Sequence, residues 1–202
     1  MTRNLLLSAF TLLSATLHAE TQVLALSGSL RADSTNKKLL QEAVSIAKQM
    51  GATVKVIDLK DFPMPLYDGD LEKSQGLPEN AKRLKQMMIE AKAILISSPE
   101  YNGSISGVLK NTIDWTTRTS DGQGTRDAYK GKKFAIMSTS PGPSGGANSL
   151  AHLRHIITHI GGIVVTTQLA LPNGYTAFDQ DGLTNLEAKE TLKKEVKELL
   201  AS

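Results

Sequence analysis

The sequence predicts an α/β fold in which one parallel β-sheet lies between two layers of helices, a doubly wound arrangement. Short runs rich in β-branched and apolar residues alternate along the chain with longer amphipathic stretches, and turn residues separate them. The middle short runs are continuously apolar, as strands are when helices cover both faces of a sheet. At 202 residues the chain is long enough for one domain with a substantial core, and no second domain is required.

The individual elements follow from these patterns in chain order. Five runs have the composition of strands: Val23–Ser27, Thr53–Asp58, Ala93–Ser97, Lys133–Thr139 and Ile163–Leu169. Apolar residues recur at helical spacing in five longer stretches: Ser34–Met50, Glu79–Ala91, Ser104–Thr117, Ala147–Ile160 and Thr184–Leu200. Five strands alternating with five helices in a three-layer α/β/α arrangement are the flavodoxin-like form of a doubly wound sheet. We predict long loops at Lys60–Pro78, which contains three prolines, and at Arg118–Gly131.

The loop after the first strand has the features of a phosphate site. The strand gives way at Ser27–Asn36 to the letters SGSLRADSTN, and a helix is predicted to begin near Ser34. Ser29, Ser34 and Asn36 can donate hydrogen bonds to phosphate oxygens, and Arg31 adds a planar charged fork. The unpaired N–H groups of a helix N-terminus favour the same anion. The same residues also suit a turn that only caps the helix, and the loop alone does not separate the two interpretations.

Two common phosphate sites are excluded by the same loop. It lacks the G-x-x-x-x-G-K-[ST] pattern of nucleoside triphosphate sites. It also lacks G-x-G-x-x-G, because Gly28 is its only glycine. A mononucleotide phosphate held by hydroxyl groups and backbone amides fits better.

The composition excludes several other classes of function. The chain has no cysteine, so thiol catalysis, disulfides and cysteine-bound metal clusters are ruled out. The net charge of +3 comes without a lysine and arginine stripe, and we predict no nucleic-acid partner.

Residues 1–19 have the pattern of a secretory signal peptide. A short basic start is followed by the mostly apolar stretch Leu5–Leu17 and by Ala19 at a plausible cleavage point. We therefore expect a leader over residues 1–19 and a ligand-binding domain over residues 20–202, with no stable membrane insertion once the leader is removed. The protein would be periplasmic or secreted if the leader is cleaved, and cytoplasmic otherwise.

The loops after the third and fourth strands are the other two polar, glycine-rich loops. In a doubly wound sheet they converge with the first loop on one crevice. They read SPEYNGSISG over residues 98–107 and STSPGPSGGA over residues 138–147. Small residues leave room for a flat ring to lie against the backbone, and Pro99 fixes the direction of neighbouring N–H groups. The expected ligand is a flat, hydrogen-bonding heterocycle with a phosphate tail.

Three motifs together resemble the NADPH-dependent FMN reductases, including the chromate and quinone reductase branch. They are G-S-L-R-x-x-S-x-N, S-P-E-Y-N-G-S-x-x-G-x-L-K-N-x-I-D-W and S-x-x-P-G-x-S-G-G, and the resemblance covers nearly the whole chain after residue 21. It implies FMN as cofactor and NADPH or NADH as co-substrate. It also implies a homodimer or a homotetramer built of dimers. The residues that it assigns to the FMN phosphate are Ser29, Arg31, Ser34 and Asn36. Those that it assigns to the isoalloxazine are Pro99, Glu100, Tyr101 and Asn102 on one side and Ser140, Gly145 and Gly146 on the other.

The implied reaction passes hydride from a nicotinamide through bound FMN to a small-molecule acceptor such as a quinone, free flavin, azo compound or chromate. The flavin performs this chemistry, so we predict no dedicated catalytic residue. Glu100 could donate a proton, but a carboxylate that faces solvent or braces its loop is the simpler interpretation. Tyr101 is expected at the flavin rim and Trp115 at an interface. Arg118 and Arg126 could meet a nucleotide phosphate, although a solvated loop is the simpler interpretation. An exported enzyme would lack an obvious supply of NADPH, so the predicted leader and the predicted reaction conflict.

Other features of the sequence suggest three alternatives to a reductase. Residues 142–146 match the G-x-S-x-G of serine hydrolases. An α/β-hydrolase triad needs an acid and then a histidine after the serine, but Asp179 and Asp181 lie beyond His159, the last histidine. His152, His155 and His159 share one helical face, yet no acidic or cysteine ligand stands nearby, and we predict no metal site. A non-enzymatic, flavodoxin-like FMN-binding electron carrier is the remaining alternative, which the basic charge disfavours.

Overall fold

The computed structural model describes residues 22–201 and confirms the doubly wound α/β fold. The predicted leader lies outside these residues. Within them, no helix combines the length and the apolar character needed to cross a bilayer. The strands are β1 (Gln22–Ser27), β2 (Thr53–Asp58), β3 (Ala93–Ser97), β4 (Lys133–Thr139), β5 (Ile163–Val164), β6 (Ala170–Leu171), β7 (Phe178–Asp179) and β8 (Gly182–Leu183). The helices are α1 (Thr35–Gln49), α2 (Gly69–Gln75), α3 (Glu79–Glu90), α4 (Gly107–Thr116), α5 (Ala147–His159) and α6 (Leu186–Leu200).

The main sheet is parallel, with strand order β2-β1-β3-β4-β5 and with β6 continuing the pairing along β4. Side chains of β1, β3 and β4 alternate between two buried clusters, so both faces of the sheet are covered. Helices α1 and α6 pack on one face, and α3, α4 and α5 pack on the other. The order reverses between β1 and β3, and this places the loops after β1, β3 and β4 at the crevice where such sheets bind ligands.

Three helices begin at a residue whose side chain caps the first turn. Asp68 caps α2, Ser106 caps α4 and Asn185 caps α6, each by accepting a backbone N–H. These caps explain why α4 begins at Gly107 instead of Ser104, and α6 at Leu186 instead of Thr184.

The loop predicted at Lys60–Pro78 is only partly a loop. It contains α2 and a short 3₁₀ turn at Leu59–Asp61. Its middle is fastened to α4 by Asn111, whose amide donates to the Pro65 carbonyl and accepts the Tyr67 N–H over 2.9 and 2.8 Å. The indole of Trp115 donates to the same Pro65 carbonyl and is fully buried. The prediction that Trp115 lies at an interface is therefore wrong, because the 60–78 segment covers it within the chain.

The fifth predicted strand, Ile163–Leu169, is also wrong in detail. It pairs with β4 at Ile163–Val164, leaves the ladder, and pairs again at Ala170–Leu171. Side chains from two helices satisfy the interrupted backbone. Arg154 donates to the carbonyls of Val164 and Val165, and the Glu198 carboxylate accepts the N–H and hydroxyl of Thr167. The small hairpin β7-β8 that precedes α6 was not predicted.

Glu195 completes this arrangement as a buried acid. One carboxyl oxygen accepts the Leu169 N–H over 3.1 Å, and the other has no hydrogen-bond partner among the described residues. Burial raises the pKa of Glu195 well above its ordinary value. The folded state therefore binds this proton more tightly than the unfolded chain does.

We expect Glu195 to make the protein less stable as the pH rises. Below the pKa of the unfolded chain both states are protonated and the residue has no pH-dependent effect. Above it, the free energy of unfolding falls until the pKa of the folded state is passed, with a slope of up to about 1.4 kcal/mol per pH unit for one proton. Urea unfolding between pH 4 and pH 8 should show a shallower fall for Glu195→Gln. The exposed Glu190→Gln on the same helix should match the parent, and equal slopes for all three proteins would contradict the argument.

Candidate functional site

One cleft at the carboxyl ends of the strands brings the three polar loops together. Its lining combines hydroxyl groups, one arginine, one carboxylate and two tyrosines. The lining residues are Ser29, Arg31, Ser34, Thr35, Asn36, Pro99, Glu100, Tyr101, Thr139, Ser140, Pro141 and Tyr175. Eight of the eleven predicted site residues are among them, and Asn102, Gly145 and Gly146 are not.

The first loop is held in a compact turn above the sheet. The Ser27 hydroxyl accepts the Ser29 N–H, and the Ser29 hydroxyl accepts the Arg31 N–H, both over 3.3 Å. A side chain at Gly28 would meet Leu109 at 3.0 Å and Pro99 at 3.3 Å, so the glycine lets the loop approach the next one closely.

The N-terminus of α1 opens into the same cleft. Ser34 is its N-cap residue and is buried, but its side chain makes no capping hydrogen bond. The first N–H groups of a helix have no partner within the helix. Their partial positive charge, together with the hydroxyls of Ser34 and Thr35, favours an anion at this point.

Arg31 lies at the exposed end of the cleft with its guanidinium on Asp33. Nε and Nη2 both donate to that carboxylate, over 3.1 to 3.3 Å. The Asp33 carboxylate raises the pKa of Arg31, and the Tyr175 hydroxyl raises it further. Tyr175 belongs to the segment between β6 and β7 and also lines the cleft.

Asn36 is buried, and its side-chain amide makes three hydrogen bonds within the protein. Its amide nitrogen donates to the Thr139 carbonyl over 2.8 Å, and its oxygen accepts the Ser97 hydroxyl and the Thr139 N–H over 3.0 and 3.1 Å. The side chain thus joins α1 to the ends of β3 and β4. Asn36 also lines the cleft, and its assignment to the FMN phosphate stays a prediction.

Glu100 has the bracing role that was expected of it. Its carboxylate accepts the Ser149 N–H over 3.0 Å and the Asn148 amide over 3.3 Å, so it caps the first turn of α5 from outside the helix. Beneath it, the hydroxyl of Ser149 donates to the Pro99 carbonyl over 3.1 Å and also bonds the Ser98 hydroxyl. These bonds fix the Pro99–Glu100 loop against the helix.

Asn102 belongs to a tight turn next to the cleft. Asn102 and Gly103 both have positive φ, at 52° and 74°, and Tyr101 and Ser104 exchange two backbone hydrogen bonds. This is the Asn-Gly geometry of a two-residue hairpin. The turn holds Tyr101 at the rim, where its side chain lines the cleft and stays about half exposed (48 %).

Gly145 and Gly146 allow the loop after β4 to fold back on the sheet. A side chain at Gly145 would lie 2.6 Å from the backbone of Ala170, and one at Gly146 would overlap the Ser138 hydroxyl. Both have positive φ. Neither glycine lines the cleft, where this loop is represented by Thr139, Ser140 and Pro141.

Sequence reasoning missed Thr35, Thr139, Pro141 and Tyr175. The first three are neighbours of predicted residues and could have been included with them. Tyr175 had no local signal, because it lies after the interrupted fifth strand, in a stretch without a recognised motif.

Arg118 does not reach the cleft lining. It forms a bidentate pair with Glu72 over 2.7 and 2.8 Å, which holds the 118–124 loop against α2.

Comparison with known proteins assigns the family. The model of the NADPH-dependent FMN reductase family matches residues 21–176. The chain belongs to this family. It is similar to an NAD(P)H-dependent FMN reductase of Pseudomonas aeruginosa, with 32% identity over 88% of this chain and 92% of that protein. It is also similar to the quinone reductase of Escherichia coli K12, with 34% identity over 71% of this chain and 73% of that protein.

A solved structure agrees with this assignment. The flavoenzyme NAD(P)H:(acceptor) oxidoreductase of Paracoccus denitrificans superposes with a TM-score of 0.74 at 30% identity, over 89% of this chain and 94% of that one. As a member of the FMN reductase family, the protein is an NAD(P)H-dependent oxidoreductase with FMN as its cofactor.

The cleft has the donors that FMN requires. The uncapped start of α1, two buried serines and an arginine form an anion-binding pole, and the cleft lining also includes Pro99–Tyr101 and Ser140. Apart from the braced Glu100, the lining places only neutral groups on the side away from Arg31, as an uncharged heterocycle needs.

Proposed function

We propose that FMN binds in this cleft with its phosphate at the start of α1 and its ring along the Pro99–Tyr101 loop, and that the enzyme passes hydride from NAD(P)H to a small oxidised acceptor. The observation that carries the proposal is the convergence of the Arg31 side chain and the uncapped N-terminus of α1 on one cleft. Helix N–H groups and a planar guanidinium are the usual ligands of a phosphate monoester.

The residues around the ligand position and shield it, and none is assigned a proton-transfer step. Ser29, Ser34 and Arg31 would hold the phosphate, while Asn36 keeps the loops that carry them at a fixed separation. Bound FMN supplies the hydride chemistry. Tyr101, which is half-exposed at the rim, would contact one edge of the ring.

The acceptor is proposed to be a quinone or free flavin, with azo compounds and chromate as further candidates. The names of the relatives support the first two: FMN reductase for the Pseudomonas aeruginosa protein and quinone reductase for the Escherichia coli one. The cleft is open at Tyr101, so a flat acceptor could reach the ring after the nicotinamide has left. An electron carrier without NAD(P)H activity is the alternative that the following measurement separates.

Anaerobic titration of the FMN-loaded protein tests the function. Addition of NADPH, and separately NADH, is expected to bleach the visible flavin absorbance, and a quinone added afterwards should restore it. Tight FMN binding without bleaching by either nucleotide would indicate an electron carrier, and absence of FMN binding would remove the cofactor assignment of the cleft.

We also propose a homodimer or homotetramer and, if residues 1–19 are a cleaved leader, a periplasmic or secreted enzyme. The resemblance to the FMN reductase family implies this oligomer, and a subunit contact could cover the exposed apolar side chains of Leu66 (80% exposed) and Ile163 (53% exposed). If residues 1–19 are not a cleaved leader, we propose that the enzyme is cytoplasmic.

The phosphate assignment gives a direct prediction for Arg31→Gln. Loss of one charge-assisted contact should weaken FMN binding about tenfold to a hundredfold. Riboflavin, which lacks the phosphate, should bind both proteins equally. Fluorescence titration with the two flavins measures the difference. Arg126→Gln removes the same charge from an exposed position outside the cleft lining and should bind FMN as the parent does. An equal loss for FMN and riboflavin would contradict a phosphate contact.

A further inference from the structure

Asp33 is a carboxylate inside the loop that is proposed to bind a phosphate. It lies one residue before the N-cap of α1 and two residues after Arg31. Its side chain is 80% exposed, so the fold does not need it for packing. A negative charge at this place opposes the binding of a second negative charge.

The guanidinium of Arg31 is turned towards this carboxylate. Nε and Nη2 donate to Asp33 oxygens, and Nη1 is the guanidinium nitrogen that makes no hydrogen bond to Asp33. A bidentate contact with phosphate uses two of these nitrogens. A phosphate that takes the edge formed by Nε and Nη2 must therefore displace Asp33 from those two nitrogens.

The pair is charged at neutral pH. The hydrogen bond and charge of Arg31 lower the pKa of the Asp33 carboxyl. Asp33 thus stays ionised throughout the range in which a phosphate monoester carries between one and two negative charges.

We propose that Asp33 is an internal competitor of the FMN phosphate, which occupies Arg31 in the free protein and sets how tightly, and for how long, the phosphorylated flavin is held. The inference rests on the proposed FMN site. Its consequence is an FMN that exchanges with free flavin in solution more readily than the hydroxyl groups, arginine and helix terminus alone would allow.

The expected size follows from the exposure of the pair. Exposed ion pairs are weak, and the repulsion between Asp33 and a phosphate a few ångströms away is reduced by water and salt. We expect Asp33→Asn to tighten FMN binding about threefold to tenfold at low ionic strength, with a slower dissociation rate. The gain should shrink in about 0.5 M salt, where the Debye length is only a few ångströms.

The experiment compares FMN and riboflavin affinity, by fluorescence titration and stopped flow, for the parent and Asp33→Asn. Riboflavin affinity should be unchanged. Asp127→Asn makes the same charge change at an exposed position outside the cleft lining and should leave both affinities as they are. A parent that binds no FMN would overturn the proposed function. FMN binding that is normal in the parent and unchanged in Asp33→Asn would overturn only the competition.

A double-mutant cycle separates competition for Arg31 from general repulsion. In an Arg31→Gln background there is no guanidinium to occupy, so Asp33→Asn should improve FMN binding by less than it does in the parent. An equal improvement in both backgrounds, or an improved riboflavin affinity, would show that Asp33 acts through charge alone or through the shape of the loop, and would refute the competition.

Discussion

Asn36→Ala is expected to destabilise the protein by about 3 kcal/mol or more, although the sequence indicates only a ligand contact for this residue. The change leaves the N–H and carbonyl of Thr139 and the hydroxyl of Ser97 without their partner in a buried place. Each unsatisfied buried group costs about 1 to 3 kcal/mol. Urea denaturation without flavin measures this loss, since it does not depend on FMN.

Asn80→Ala is the matched control, because Asn80 is only half-buried and its hydrogen bonds, to the Pro63 carbonyl and from Arg83, are exposed to solvent. Its loss should stay below about 1 kcal/mol. If Asn36→Ala lost FMN affinity but no stability, Asn36 would be a ligand of the phosphate and its role as a link between loops would be refuted.

Gly145→Ala is expected to have an effect of similar size for a steric reason. The new Cβ would lie 2.6 to 2.7 Å from backbone atoms of Ala170 and Leu171, which cannot move aside as a flexible side chain could. The residue also has φ of 61°, where alanine is strained. We expect a loss of about 2 to 4 kcal/mol and a displaced β6.

Gly142→Ala tests the same loop without the clash. A side chain there would meet no atom within 4 Å, and the residue has no positive φ. Its thermal unfolding should be close to that of the parent. Equal melting temperatures for the two variants would mean that the loop can shift away from β6.

The sequence predicted the sheet well because its strands are buried on both faces. The bounds of β3 and β4 are as predicted, since continuous apolar runs end where small polar residues begin. The prediction for the fifth strand was wrong because Ile163–Leu169 has strand composition throughout. Its interruption depends on hydrogen bonds with Arg154 and Glu198, which lie on two helices outside this segment. No local pattern carries that information.

The site residues were likewise predicted only in part. Residue type and loop position were sufficient to bring Ser29, Arg31 and Ser34 into one cleft. Residue type cannot say which way an amide faces, and Asn36 turned inwards to Thr139. Trp115 was misplaced for a related reason, because its cover comes from the 60–78 segment, which has little recognisable helical pattern.

The bond between Asn36 and Thr139 also constrains the order of events during synthesis. Its two ends are 103 residues apart, and the cleft lining extends further, to Tyr175. A growing chain that has exposed only the SGSLRADSTN loop has phosphate-binding groups but no cleft to place them in. Under the proposed function, flavin capture therefore belongs to a late stage of biogenesis, after the chain as far as Tyr175 has left the ribosome.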